Sequence, residues 1–238
     1  MSSLPESGLP RGEVPAAFDR DAAAYDRLIG LNPGYHRHLR ISARRLLAES
    51  VTVPRILDAG CGTGASTAAL LAVAPRARIT AIDASAEMLA RAKTKSWPGT
   101  VNFVHTPVED LATVHGRFDA VFSAYLLRNL ADPDTQLRSL RGLLRPGGRF
   151  AAHEYSVRDS RRAQWVWKAV CAGIIIPIGR IATGDATLYQ HLRRSVLTFD
   201  GVGELCSRLS RAGFADVRTG TMPGWQRGIV HTVLGTAT

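Results

Sequence analysis

The segment Asp58-Ala-Gly-Cys-Gly-Thr-Gly64 puts glycines at three alternate positions, Gly60, Gly62 and Gly64. Glycine accepts the backbone angles of a sharp turn and lets a ligand approach the main chain closely. A dinucleotide-binding loop sets its third glycine one position later, which argues against a nicotinamide oxidoreductase. Asp83 lies 19 residues beyond Gly64. A carboxylate there can accept hydrogen bonds from both hydroxyls of a ribose, each contributing roughly 1.5–3 kcal/mol. That is a large share of the roughly 8 kcal/mol of a micromolar affinity. The same charge repels a 2′-phosphate. The plainer readings are a ligand-free turn and a solvated aspartate.

These residues need a strand, a helix and a second strand to hold them. Arg55-Ile-Leu-Asp58 is a short apolar strand before the loop, and Ala65 to Ala74 an alanine-rich helix after it. Arg78 to Asp83 is the second strand, followed by a helix from about Ser85, its N-cap, to Lys95. Val101 to His105 and Phe118 to Ala124 read as the third and fourth strands. Asp132 caps the next helix, with Pro133 at its first position. Pro146-Gly147-Gly148 then turns the chain into a fifth strand, Arg149 to Glu154. Strands alternating with helices predict an α/β fold with a parallel sheet. Residues 158–197 interrupt this rhythm with an apolar helix, a Pro-Ile-Gly break and a polar segment, expected to insert as a lid over the sheet's edge. Asp200 is expected to cap a helix running to about Ala212; Asp216–Gly220 and Gly228–Leu234 supply the last two strands.

The 238 residues fit one domain, and 45% hydrophobic content is ample for a core. Residues 1–15 read as a mobile tail, rich in Ser, Pro and Gly and without a signal-peptide core. No run of roughly 18 uninterrupted apolar residues occurs. The nearest, Ala163–Ala182, is broken by Lys168, Pro177 and Arg180. Cys61, Cys171 and Cys206 form neither a disulfide framework nor a zinc pattern, so no metal is expected and a cytoplasmic setting suits them. The net charge is +10, from 30 basic and 20 acidic residues. Only three of the basic residues are lysines, a usage typical of GC-rich genomes. The functional reading is attraction to an anionic partner, either a membrane surface or an acidic substrate. The basic residues are scattered without interleaved aromatics, which argues against nucleic acid.

The loop and Asp83 resemble the class I S-adenosylmethionine-dependent methyltransferases, whose Rossmann-like fold is a mostly parallel seven-stranded sheet with helices on both faces. A narrower resemblance covers almost the whole chain. Ala17-Phe-Asp-Arg-Asp-Ala-Ala-Ala-Tyr-Asp26 resembles the opening of the ubiquinone and menaquinone biosynthesis C-methyltransferases. Tyr125-Leu-Leu-Arg-Asn-Leu130 is similar to their Gly-Leu-Arg-Asn-Val segment, and His153-Glu-Tyr-Ser156 to their Glu-Phe-Ser. Ile176-Pro-Ile-Gly to Gly184-Asp185 resembles their Leu-Pro-x-Ile-Gly…Ser-Gly-Asp. The chain departs from them at Tyr189-Gln-His-Leu-Arg-Arg-Ser-Val196, where His191, Arg193 and Arg194 replace a tyrosine, a proline and an acid.

The resemblance implies S-adenosylmethionine as cofactor and residues 16–238 as the methyltransferase domain. Gly60, Cys61 and Gly62 would face its amino-acid part, Asp58 its ammonium and Asp83 its ribose. Ala84, Met88 and the backbone N–H of Val108 would lie at the adenine. Pro107 stands where the family has an aspartate, and Glu109 or Asp110 is the expected compensation. Thr63, Gly64 and Ser123 complete the cofactor set, with Tyr25 closing over it.

The implied acceptor is a quinol or related aromatic, prenylated small molecule, methylated at carbon. The alternative is an O- or N-methyltransferase of a natural product or lipid headgroup, which the replaced residues favour. A cofactor-binding protein without transfer activity is the rival from another class. A phenol of pKa about 10 is roughly one part in a thousand ionised at pH 7, so the site must stabilise the phenolate or remove its proton. Guanidinium hardly deprotonates. Arg128 is therefore expected to stabilise the phenolate, with Asn129 orienting it, unless a local carboxylate such as Asp132 claims the arginine. His191 is the expected general base, His153 the alternative, each of which also reads as structural. Tyr189 would close over the acceptor, and Trp165, Trp167 and Ile174–Ile178 would line an apolar channel or pack as core. Peripheral contact with the inner membrane surface and a homodimer stay open.

Overall fold

The computed structural model describes residues 32, 34–48 and 53–238. The tail, the Ala17–Asp26 segment and Tyr25 lie outside them. The chain folds into a seven-stranded sheet in the order β3-β2-β1-β4-β5-β7-β6. Its strands are β1 (Arg55–Ala59), β2 (Arg78–Asp83), β3 (Val101–His105), β4 (Phe118–Ala124), β5 (Leu144–Tyr155), β6 (Phe214–Thr221) and β7 (Val230–Ala237). The first five run parallel, and β7 pairs antiparallel with both β5 and β6. The chain reverses its direction of travel across the sheet between β1 and β4. Open α/β sheets bind ligands at the carboxyl ends of strands at such a switch point.

The helices are α1 (Tyr35–Leu47), α2 (Ala65–Val73), α3 (Ala86–Lys93), α4 (Pro133–Gly142), α5 (Arg161–Val170), α6 (Ile176–Thr183), α7 (Thr187–Thr198) and α8 (Val202–Arg211). One core joins α1 and α2 to one face of the sheet through Leu39, Leu46, Leu70 and Phe122. The other joins α4 and α8 to the opposite face through Leu137, Leu140, Leu205 and Phe150. The expected caps at Ser85 and Asp132 are present, accepting from Met88 N–H at 3.0 Å and Thr135 N–H at 3.0 Å.

Three expectations need correction. The Pro146–Gly148 turn lies inside β5, which begins at Leu144. A register shift against β4, where Phe118 faces Leu144 and Ala120 faces Arg149, absorbs the extra residues. Asp200 does not cap α8, whose cap is Gly201. Asp200 instead pairs with Arg208 at 2.5 Å, a charge-assisted bond that claims the carboxylate. Pro177 does not break its helix either. Residues 161–182 form one continuous helix, because Pro177 sits in the first turn of α6 after a π-helical turn at Cys171–Ile175. The wider turn accommodates the missing N–H.

Candidate active site

The glycine loop follows β1 at the carboxyl edge of the sheet. Gly60 N–H and Cys61 N–H both donate to the Ile82 carbonyl at 2.9 Å, and Gly62 N–H donates to Asp83 Oδ2 at 2.7 Å. Asp83 Oδ1 also accepts from Ser85 N–H at 2.9 Å. The carboxylate therefore ties the end of β2 to the loop as well as facing the cavity. Gly60 has φ 74, and a side chain there would meet Leu126 at 3.1 Å. Gly64 has φ 89 and serves packing: its missing side chain makes room for Trp97, 2.7 Å from where a Cβ would sit.

Asp58 is fully buried at the end of β1. Its Oδ2 accepts from Ser66 Oγ at 2.8 Å and Thr67 Oγ1 at 2.6 Å. Its Oδ1 has no hydrogen-bond partner among the described residues. Burial, reinforced by the nearby charge of Asp83, raises its pKa to about 6 against the opposing effect of the two hydroxyls. A buried carboxylate oxygen left unpaired beside a glycine cradle fits a cationic ligand group such as an ammonium.

The main cavity opens between the ends of β1, β2 and β4. Gly60, Gly62, Asp83, Ala84 and Met88 line one side, with Thr106, Val108 and Glu109 beyond them. Tyr125, Leu126, Arg128, Asn129 and Leu130 line the other. A smaller cavity shares Gly60, Gly62 and Ala124 with it and adds Tyr35, Cys61, Thr63 and Ser66. Most of the expected cofactor residues thus converge. Asp58, Gly64 and Ser123 do not line either cavity: Asp58 and Ser123 are buried just behind the lining residues, and Gly64 packs against Trp97. Asp110 is not among the lining residues, whereas Glu109 is.

Arg128 does reach this cavity, but as half of a buried pair. Its Nη1 donates to Glu154 Oε1 at 2.6 Å and to the Tyr125 carbonyl at 2.8 Å. Asp132 is the helix cap and not its partner. The guanidinium also lies over the rings of Tyr125, at 5.5 Å, and Tyr155, at 5.6 Å. Burial pushes the Glu154 carboxyl up, while Arg128 acts to lower it. Asn129 Nδ2 donates to the same Tyr125 carbonyl at 3.3 Å.

Sequence reasoning missed Tyr125 and Glu154, although both stand in the segments that carry the family resemblance. Tyr125 adopts φ 57, a left-handed angle that is uncommon for a bulky side chain and favours functional sites. Its ring stacks between Tyr35 at 5.6 Å and Tyr155 at 4.7 Å. Its hydroxyl meets His153 Nε2 at 2.9 Å, and His153 Nδ1 meets Ser42 Oγ at 2.7 Å. His153 is therefore a fully buried support for the cavity wall, its pKa lowered by burial to about 3. It is not among the residues lining the cavity.

His191 lies half-buried on α7 and is not among the residues lining the cavity. Arg193, half-buried, and Arg194, exposed, are not among the lining residues either, so the three replaced residues that favoured the O- or N-methyltransferase alternative do not line the cavity. Tyr189 packs against Gly179 within the 158–197 arm. The apolar-channel expectation is also corrected. Trp165 is 71% exposed, and Ile174 and Ile178 point to solvent, while Trp167 is buried against Tyr155 at 4.7 Å. Among the described residues no group of His, Cys, Asp or Glu is placed to hold a metal ion.

Comparison with known proteins places this geometry. The ubiE/COQ5 methyltransferase family profile matches residues 9–236. A demethylmenaquinone methyltransferase of Clavibacter sepedonicus is 35% identical over 212 residues, 87% of this chain and 84% of that protein. A ubiquinone/menaquinone biosynthesis C-methyltransferase of Syntrophotalea carbinolica is 30% identical over 218 residues, 90% of this chain and 91% of its own. Among solved structures, the N-methyltransferase NodS of Bradyrhizobium japonicum superposes with TM-score 0.64 at 19% identity, covering 94% of this chain and 98% of that one. The [4+2]-cyclase SpnF gives 0.69 at 16% identity, covering 99% and 98%. These two share the fold, one an N-methyltransferase and the other a cyclase, so the fold alone does not set the chemistry.

Proposed function

The chain belongs to the ubiE/COQ5 methyltransferase family, and from that premise we propose that it methylates a ring carbon of a quinol carrying an apolar tail. It is an S-adenosylmethionine-dependent methyltransferase. When bound, the cofactor supplies a methyl carbon made electrophilic by the adjoining sulfonium. Asp58 would receive its ammonium, Gly60, Cys61 and Gly62 its amino-acid part, and Asp83 its ribose. Ala84, Met88 and Val108 would enclose its adenine.

The observation that carries the acceptor reading is Arg128, set in the same cavity as Asp83 and held from behind by Glu154. Its hydrogen bonds to Glu154 and to the Tyr125 carbonyl fix the guanidinium without mobile side-chain entropy to lose. In this role Arg128 donates to the quinol oxygen and favours its phenolate, and Asn129 orients the same oxygen. The phenolic proton leaves to solvent, and the negative charge passes into the ring and makes the adjacent carbon nucleophilic. Once that carbon carries the methyl group, its own proton is lost to solvent, restoring the aromatic ring. Positioning of two reactants in this way contributes roughly 7–11 kcal/mol in favourable cases. Tyr125, Leu126 and Leu130 supply an apolar wall that excludes water from the ring. His191 would have to act from α7, whose contact with the cavity runs through Leu127–Asn129.

We also read the chain as cytoplasmic, taking its acceptor from the inner membrane surface; the apolar helix 161–182 supports this. The test of the function is incubation with methyl-labelled cofactor and a short-tailed demethylquinol. The expected product carries the label on a ring carbon, located by fragmentation mass spectrometry. Label on oxygen or nitrogen would overturn the assignment in favour of the O- or N-methyltransferase.

A further inference from the structure

The helix spanning residues 161–182 has two unlike faces. Its inner face, with Trp167 and Cys171, is buried against the enzyme, and Trp167 Nε1 donates to the Arg193 carbonyl at 3.3 Å. Its outer face leaves Trp165 71%, Ile174 53%, Ile178 39% and Ile181 86% exposed. Across its most apolar stretch only 17% is buried, with a mean hydropathy of 1.5. Large exposed apolar side chains on neighbouring turns of one helix mark a contact surface.

The charges select the partner. Residues 161–182 contain Arg161, Arg162, Lys168 and Arg180 and no acidic residue, within a chain of net charge +10. Apolar side chains flanked by basic ones, with an exposed tryptophan, match the boundary between lipid headgroups and acyl chains. The inner-face packing keeps the helix in the plane of that boundary, because crossing a bilayer would strip Trp167 from Tyr155. The rings of Trp167, Tyr155 and Tyr125 follow one another at 4.7 Å each, and Tyr125 lines the cavity. The outer stripe is therefore the far side of the same element that backs the acceptor wall.

We propose that the outer face of helix 161–182 docks the enzyme onto an anionic lipid surface and so presents the cavity to a lipid-dissolved acceptor. This deepens the function given above and rests on it for the acceptor. The experiment is flotation of the full chain with phosphatidylcholine vesicles and with vesicles containing about one-third phosphatidylglycerol. Association with the mixed vesicles is expected to be at least about tenfold tighter, weakening with salt. The double variant Trp165→Glu with Ile181→Glu is expected to lose at least about tenfold of that association. Arg180→Glu, reversing one charge, is expected to lose at least about fivefold on mixed vesicles alone. Binding of S-adenosylhomocysteine, followed in each variant, should stay unchanged and so reports intact folding.

Absence of association with anionic vesicles overturns the proposal. So does a double variant that binds lipid as well as the parent, or a dimer of the parent that the same substitutions dissociate without any lipid binding. Because flotation uses no acceptor, its result stands apart from the label-transfer test. Lost lipid binding with retained transfer to a soluble quinol removes the docking face and leaves the activity.

Discussion

Replacing Asp58 by asparagine separates the charge of this residue from its shape. The amide oxygen can still accept from Ser66 and Thr67, now bound at 2.8 and 2.6 Å. In the folded chain the carboxyl titrates near 6; in the unfolded chain it titrates near 3.9. Between those values the folded form holds a proton that the unfolded form has released. Stability from this group is therefore full below about pH 4 and is lost as pH rises to about 6. A displacement of about two pH units corresponds to roughly 3 kcal/mol. Asparagine has no such titration, and whatever fixed cost its buried amide carries cancels when one compares the same pair of proteins at two pH values. Between pH 4 and 7 the stability of the variant relative to the parent should rise by roughly 3 kcal/mol. For a chain of this size that is roughly 6–12 °C in relative melting temperature. Ligand binding should show the opposite preference. An ammonium beside Asp58 favours the ionised carboxyl, so parent affinity for S-adenosylhomocysteine should climb with pH up to about 6, and the variant's should be weaker and flat. Thermal melts and calorimetry across pH 4–8 at constant ionic strength supply both readings. Parent and variant melting in parallel across that range would refute the reasoning.

Asp83→Ala removes the acceptor of the Gly62 N–H and the proposed ribose partner together, so calorimetry should show cofactor affinity falling by about tenfold or more; an unchanged value removes the ribose role. Arg128→Met leaves Glu154 buried and unpaired, which should cost roughly 3–5 kcal/mol in chemical denaturation. Adding Glu154→Gln should recover more than half of that, and purely additive losses would show that the two residues are not coupled. The same double variant, being folded, should turn over about a hundredfold more slowly while binding S-adenosylhomocysteine within about threefold of the parent. His191→Gln should change turnover by less than about threefold. A hundredfold loss, together with a vanished acidic limb in the pH–rate profile, would restore His191 as the general base.

What could be read in the sequence was local. Apolar runs bounded by Gly, Pro and Asp placed β2, β3 and β4 to the residue, and the caps at Ser85 and Asp132 announced α3 and α4. The loop and Asp83 fall together because two adjacent strands end side by side, which the alternation of elements implies. What escaped depends on contacts between distant residues. Arg128 and Glu154 are 26 positions apart, on the short helical turn after β4 and on β5, and only the sheet brings them to 2.6 Å. The amphipathic period of 161–182 is the same whether its apolar stripe lines a channel or faces outward, so the sequence left Trp165 and Ile174 open to both readings. Pro177 looked like a break because a π-helical turn leaves no clear mark in residue types.

The charge balance of the two ends of the cavity then separates their ligands. At the β1 end, Asp58 is buried with one oxygen unsatisfied and no basic side chain paired to it among the described residues. That is a costly arrangement, and above the pH at which the carboxyl holds its proton a cationic ligand group relieves it. At the β4 end the arginine already has its carboxylate, so the pair carries no net charge and neither repels nor demands a charged partner. A neutral aromatic can enter there at little electrostatic cost. The pair's polarity counts only when the quinol oxygen begins to ionise, since Arg128 is nearer the cavity than Glu154, which is 1% exposed. Stabilisation that appears only as the acceptor ionises accelerates the reaction without tightening ground-state binding.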